Sequence, residues 1–120
     1  MSHIVQIETQ VRDPLAIQAA CRRLNWPAPE QRTAKLFTQE VTGLAVELPD
    51  WLYPVVCNTA TGELQYDNYG GRWGDESHLH RFLQAYAVER AKLEARKQGH
   101  SVQEQTLADG SIRVQIGVAS

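Results

Sequence analysis

With 120 residues, the chain is long enough for one domain around a single core, and we predict that this domain spans residues 1–120. Its composition, 42% hydrophobic and 22% charged, is typical of globular proteins, and no apolar run reaches the roughly 18 residues that a membrane-spanning helix needs. The net charge of −2 argues against a basic surface that would recruit nucleic acid or an anionic membrane.

The first third of the chain predicts a strand followed by a helix. In "HIVQIETQV" apolar and polar residues alternate, which indicates a strand with one solvent-facing side. Asp13 and Pro14 form a helix start, because an N-cap carboxylate precedes a ring already fixed at a helical φ. The helix carries one apolar stripe, made of Ile17, Ala20, Cys21 and Leu24. The prolines of "NWPAP" end it.

The middle of the chain predicts four strands. "KLFTQEV" and "LAVELP" are two of them, separated by Thr42 and Gly43. "YPVVC" and "ELQYDNY" flank the polar segment "NTATG", which predicts a hairpin with a longer loop. Pro54 indicates that its segment is either an edge strand or the first residues of a strand, since proline cannot donate to the ladder.

The last third predicts a long helix and a hairpin. Asp75 caps a helix of about residues 76–98, and Gly99 is placed to end it. Its apolar stripe consists of Leu79, Phe82, Leu83, Tyr86 and Leu93, with Ala87 and Ala91 alongside. Asp109 and Gly110 predict a tight hairpin before a cleanly alternating last strand. The order β-α-β-β-β-β-α-β-β predicts an α+β two-layer sandwich, with a largely antiparallel sheet and both helices on one face.

The cysteines and histidines predict no metal site and no cofactor. Cys21 and Cys57 have no metal or redox spacing, so we expect two buried, reduced thiols in a cytoplasmic protein, with a single disulfide between them as the alternative. On a helix His78 and His80 point about 200° apart and cannot share a metal ion. The other two histidines, His3 and His100, are far apart in the chain.

Motifs of catalysis are also missing from the sequence. There is no GxSxG, no HExxH and no phosphate-binding loop with its lysine. The adjacent carboxylates Asp75 and Glu76 lie at a helix start, where they act as caps. We therefore expect a non-enzymatic protein and assign no catalytic residue.

The segment "DNYGGRWGD", residues 67–75, is the most unusual stretch and permits two interpretations. In the favoured one, Gly70 and Gly71 allow a sharp reversal from strand to helix, while Tyr69 and Trp73 plug the end of the core and Trp73 anchors the loop. In the other, the backbone N–H groups of the two glycines bind an anion, and Arg72 adds its guanidinium.

Several segments together resemble a known family. They are "MSH" with the strand after it, "LPDWLYPVV", "ATGELQYDNYGGRWGD", "FLQAYAVERAKLEARKQGHSV" and "LADGSIRV", in this order over nearly the whole chain. The family is similar to the hypothetical chloroplast reading frame thirty-five and occurs in bacteria, cyanobacteria and chloroplast genomes. The resemblance implies a compact cytoplasmic protein without an established reaction or agreed catalytic residues. Its bacterial members are often encoded near an AAA-type ATPase, which implies a protein partner.

Two functional hypotheses follow. The first is an accessory or adaptor protein that binds an AAA-type ATPase or a second copy of itself, favoured by aromatic side chains and an open sheet edge. Its predicted surface consists of Trp51, Tyr66, Asn68, Tyr69, Arg72 and Trp73. The alternative is a small-molecule or anion-binding domain, with or without an enzymatic role, that uses Gly70, Gly71 and Arg72. A concave pocket with polar groups at Arg72 would favour the alternative, whereas a flat aromatic patch would favour the adaptor.

Overall fold

The computed structural model of the protein describes residues 4–118, so that His3 lies outside the described residues. The elements in chain order are β1 (Val5–Glu8), α1 (Pro14–Arg23), β2 (Glu30–Lys35), β3 (Glu40–Val46), β4 (Val55–Asn58), β5 (Glu63–Tyr66), α2 (Glu76–Lys97), β6 (Ser101–Thr106) and β7 (Ile112–Gly117). A single 3₁₀ turn, Tyr69–Gly71, precedes α2. The predicted order of elements and the α+β class are confirmed.

The main sheet contains five antiparallel strands in the order β1-β5-β4-β3-β2. Its register aligns one apolar row across four strands, with Ile7 opposite Leu64, Leu64 opposite Cys57 and Cys57 opposite Leu44. This row belongs to the same core as Ile17 of α1 and Phe82 of α2. Both helices therefore pack on one face of the sheet, as predicted, because side chains of equal parity share a face.

The helix ends follow the predicted signals. Asp13 Oδ1 accepts a hydrogen bond from Leu15 N at 3.0 Å, and Asp75 Oδ1 accepts one from Ser77 N at 2.8 Å. Gly99, just beyond α2, has a φ of 75°. Neither helix, within residues 4–118, has the length and apolar composition to cross a lipid bilayer.

The predicted boundaries in the middle of the chain are wrong. Strand β2 lies in "EQRTAK", a polar stretch before the predicted strand, while residues 36–39 of "KLFTQEV" form the turn. Strand β3 runs through Gly43 without a break. A Cβ at this position would come within 2.7 Å of the Cys57 carbonyl oxygen, so only glycine allows the close approach of β3 and β4. Pro54 precedes β4, a central strand, so its edge-strand alternative is also wrong.

The last two strands form a separate two-stranded sheet rather than extending the main one. This hairpin contacts α2 through Lys92, whose Nζ lies 3.0 Å from Glu104 Oε2, and through Gln84, whose Nε2 donates to the Gly110 carbonyl at 3.2 Å. At 100° per residue, Gln84 and Lys92 lie on the side of α2 opposite to Leu79 in the core. Over part of its length, α2 is thus covered by the main sheet on one side and by the hairpin on the other.

Candidate functional site

The segment between β5 and α2, residues 67–75, has an inner and an outer part. The inner part contains Asp67, Asn68 and Gly74 and packs against Trp51 and Tyr66. The outer part carries Tyr69, Arg72 and Trp73 towards solvent. We call the rings of Phe37, Tyr53, Tyr69 and Trp73 the outer aromatic cluster.

Asn68 closes the loop from inside. Its side chain is 1% exposed, and its Nδ2 donates to the Gly74 carbonyl at 3.2 Å. Its own carbonyl accepts hydrogen bonds from Gly71 N at 3.0 Å and from Trp73 N at 2.9 Å. Asn68 therefore does not belong to an exposed interaction surface, where the sequence had placed it. The hydrogen bonds of its side chain and carbonyl hold the two ends of the loop together.

Trp51 and Tyr66 support the loop from the core side. The Trp51 ring lies 5.6 Å from the Tyr66 ring, and its Nε1 donates to the Asp75 carbonyl at 3.0 Å. A Cβ at Gly74 would come within 2.6 Å of Trp51 Cγ, so this position tolerates only glycine. Burial raises the pKa of Tyr66, and the nearby Glu76 carboxylate raises it further. Tyr66 is buried, so it also lies outside any exposed surface.

The outer aromatic cluster is centred on Trp73. Its ring stacks on Tyr69 at 4.6 Å with an interplanar angle of 22°, and it contacts Phe37 at 5.1 Å and Tyr53 at 5.8 Å. The Arg72 guanidinium carbon lies 5.3 Å from the Tyr69 ring centroid, within cation–π range. Phe37 is 51% exposed, whereas Tyr53, Tyr69 and Trp73 are partly buried, so Phe37 forms the solvent-facing side of the cluster. The prediction that Tyr69 and Trp73 plug the core is wrong, because neither belongs to the core or to the side chains packed against it.

Two members of this cluster, Phe37 and Tyr53, lie outside the interaction surface predicted from the sequence. Phe37 was assigned to a strand, but it lies in the turn between β2 and β3, and Tyr53 comes from the segment before β4. The one local signal was an aromatic residue followed by the polar pair Thr38 and Gln39, which is unusual for a buried strand. Their meeting with Trp73 depends on the sheet order, which no short motif encodes.

The two adjacent glycines are required by the backbone conformation of the loop. Tyr69, Gly70 and Gly71 have φ values of 47°, 61° and 97°, which gives three consecutive residues in the left-handed region. Nothing lies within 4 Å of a Cβ built on either glycine, so conformation and not space requires them. Tyr69 adopts the same region at a steric cost, since bulky residues rarely have a positive φ. This turn places the Tyr69 and Trp73 rings on the same side of the loop.

The anion-binding alternative finds little support in this geometry. The backbone N–H groups of Gly71, Arg72 and Trp73 all donate to carbonyls of Asn68 or Tyr69, and Tyr69 N donates to Asp67 Oδ1 at 3.2 Å. They are therefore not available to a bound anion. Asp67 is fully buried, and its Oδ2 has no hydrogen-bond partner among the described residues. A groove of about 1040 Å³ on the surface is lined by residues other than Arg72.

The predicted thiols and histidines form no reactive centre in residues 4–118. Within this range no three or more His, Cys, Asp or Glu side chains converge to hold a metal ion. His78 packs edge-on against the Trp26 ring at 6.3 Å, while His80 is exposed. Burial raises the pKa of Cys21 to about 11 and, together with the charge of Cys21, that of Cys57 to about 12. Both thiols are thus protonated at neutral pH and poor nucleophiles.

The site therefore combines a hydrogen-bonded inner part with four aromatic rings, of which Phe37 is exposed and the other three are partly buried, and with the exposed Arg72. Its described residues include no cysteine or histidine, and Arg72 does not line the groove of about 1040 Å³. Comparison of the chain with protein-family models, with curated proteins and with solved structures finds no match. Its membership of the family similar to chloroplast reading frame thirty-five accordingly stays a prediction from the sequence.

Proposed function

We propose that this protein is a non-enzymatic accessory or adaptor protein that binds another protein through the outer aromatic cluster. The observation that carries the proposal is a cluster of four rings outside the main core, in which Phe37 is 51% exposed and the exposed Arg72 lies beside the stacked Tyr69 and Trp73 rings. Leu52 extends the same surface, because it is 60% exposed and its N–H donates to the Trp73 carbonyl at 2.9 Å. Tryptophan, tyrosine and arginine are the residues most enriched in the energetic centres of protein interfaces.

The inner part of the loop supports this function by fixing the rings before a partner binds. Asn68 and Gly74 are buried and hydrogen-bonded, and Trp51 is linked to the start of α2. Side chains that are already ordered lose little conformational entropy on association, so more of the contact energy appears as affinity. The cavity beside Leu52 and Tyr53, of about 180 Å³, is smaller than a usual ligand pocket, so this group of rings suits a protein surface better than a small molecule.

As the partner we propose first an AAA-type ATPase, on the basis of the family resemblance, and second another copy of the chain. We also propose a cytoplasmic location, supported by two free cysteines that remain unpaired in the core. No nucleic acid is involved in this function, in keeping with a net charge of −2.

The test begins with affinity purification of the tagged protein from its own cells, followed by titration calorimetry with the purified partner. Trp73→Ala and Phe37→Ala should each weaken binding at least about tenfold, as expected for residues at an energetic centre. Val118→Ala is the matched control, because Val118 is a 72% exposed apolar residue next to the hairpin, and it should bind like the wild type. Unchanged affinity in both cluster variants, with circular dichroism showing a native fold, would refute the proposal.

A further inference from the structure

Strand β1 is one edge of the main sheet, and within residues 4–118 no strand pairs with its outer side. The N–H of Thr9 donates to the Gly62 carbonyl at 3.0 Å, on the side of β5. Because these groups alternate along an antiparallel strand, the N–H and C=O groups of Gln6 and Glu8 point outwards. They form a short template for a further strand.

The opposite edge of the sheet is protected in a way that β1 is not. Strand β2 carries Glu30, Arg32 and Lys35, and Pro27 and Pro29 precede it. Charged side chains and prolines are the usual means by which proteins prevent strand addition. The sequence of β1, "VQIE", has neither a lysine nor a proline and only one charged residue, Glu8, which lines a concave surface.

That concave surface is the groove of about 1040 Å³ between α2 and the segment of residues 8–14. On the side of α2, Leu83, Ala87 and Ala91 line it at a spacing of four residues, which places them along one face of the helix. Two of these three are alanines, so the helix wall is low and apolar. A chain that followed β1 would continue into this groove.

The inner end of the groove is held in place by one hydroxyl group. Tyr86 Oη accepts hydrogen bonds from Arg12 N and Asp13 N and donates one to the Gln10 carbonyl, all at 3.1 Å. Tyr86 is buried, so these three bonds fix residues 10–13 against α2 in a protected environment. The groove is therefore a preformed feature of the fold.

The charges along the groove are unevenly neutralised. Arg90 Nη1 lies 2.5 Å from Glu94 and Arg90 Nε lies 3.6 Å from Asp13, so these charges form ion pairs, although Arg90 Nη1 has no hydrogen bond of good geometry among the described residues. Lys97 reaches Glu94 only at 3.8 Å, and neither Arg12 nor Glu8, which also line the groove, has an ion pair among the described residues. A carboxylate on an occupant is therefore favoured beside Arg12 and Lys97 and disfavoured beside Glu8.

We propose that β1 and this groove form a docking site for an extended peptide segment of another protein. The segment adds as a further strand to β1 through the outward groups of Gln6 and Glu8. It places apolar side chains against Leu83, Ala87 and Ala91 and a carboxylate at Arg12 and Lys97. This site is separate from the outer aromatic cluster, and the proposal does not depend on the function assigned to that cluster.

The probe is a phage-displayed library of random peptides of about ten residues, enough for a short strand plus its continuation. Selection should enrich sequences with alternating apolar residues and one acidic residue. The best sequence, synthesised with a fluorophore, is then titrated by fluorescence polarisation. Ala87→Arg, which fills the groove, and Arg12→Glu should each weaken its binding at least about tenfold. Ala28→Arg, an exposed alanine before β2, is the matched control and should have no effect.

A chemical variant of the peptide tests the backbone pairing without changing the protein. N-methylation of the alternate amides that face β1 should abolish binding, whereas N-methylation of the other set should leave it unchanged. Three results would overturn the proposal: no enriched sequence, binding insensitive to Ala87→Arg, or equal effects of both methylation patterns. Light scattering provides a further test. If the protein is a dimer that the Gln6→Pro substitution dissociates, the proposal is also overturned, because the β1 edge would then bind a second copy of the chain.

Discussion

Trp51 and Trp73 lie at the same loop, yet they do different things. Trp51 donates its Nε1 to the Asp75 carbonyl and packs against Gly74 and the buried Tyr66. Trp73 contacts three rings outside the main core, of which Phe37 is exposed. Residue type alone would assign both to the core or both to an interface. Trp51 therefore holds the loop in place, whereas Trp73 is carried by the loop.

This contrast predicts the largest effect for Trp51→Ala, about 3–4 kcal/mol of unfolding free energy, because it removes a large ring from the edge of the core together with a hydrogen bond. Gly74→Ala should cost about 2–3 kcal/mol, since the new methyl group overlaps the Trp51 ring. Urea denaturation measures both values. If Trp73→Ala costs more than Trp51→Ala, the assigned roles are reversed.

Trp73→Ala should cost only about 1–2 kcal/mol, the contribution of a few ring contacts at a half-exposed position. The same variant should lose the partner, so stability and binding separate in one protein. Phe37→Ala serves as its companion, with a smaller loss of stability because the ring is more exposed. A Trp73→Ala protein that unfolds at room temperature would contradict the division into inner and outer parts.

Gly70→Ala and Gly71→Ala should each cost about 1 kcal/mol, because an L-residue in the left-handed region is strained even where space is free. We expect the stability of the protein and the stacking of the Tyr69 and Trp73 rings to fall together. Near-ultraviolet circular dichroism reports the stacking. Gly70→Asn is the control, since asparagine tolerates this region better, and it should recover part of the loss. No difference between alanine and asparagine would show that the turn is not under conformational strain.

The smallest predicted effect is a change in stability at acidic pH. The pKa of Asp75 lies below its usual 3.8, chiefly because the carboxylate accepts a hydrogen bond from Ser77 N. Because the pKa of Asp75 is lower in the folded state than in the unfolded state, the contribution of its carboxylate to stability is complete above pH 3.8. It is lost as pH falls through the folded pKa. The indole N–H resonance of Trp51, bound to the same residue, should move over this acidic range, and that of Trp73 should not. Asp75→Asn should remove the transition, and a shift of both indoles alike would contradict the assignment.

Local signals explain which parts of the fold were predictable. Asp13 with Pro14, Asp75 and Gly99 define helix ends through backbone groups only a few residues away, so the sequence was sufficient. Strand β2 carries no such signal, because an edge strand with charged residues looks like a loop. Gly43 also looked like a break between strands, although it permits their close approach.

The candidate site could be predicted only in part. The sequence identified the right loop and its left-handed glycines, because paired glycines have few other uses. It could not show that Asn68 is buried or that Phe37 joins Trp73, since both facts depend on contacts between distant segments. The distinction between Trp51 and Trp73 also arises from tertiary packing, which leaves no trace in the neighbouring residues.

The unequal edges of the main sheet have a consequence for how these molecules can assemble. Polymers such as amyloid fibres grow because each added strand exposes a new edge that is as receptive as the last. Here the two edges oppose such growth in different ways: Glu30, Arg32 and Lys35 place charges along β2, whereas β1 is only four residues long and carries Glu8. Charged side chains and short edge strands both hinder repeated strand addition. Neither edge of the main sheet therefore offers the long, uncharged strand on which growth into a fibre depends.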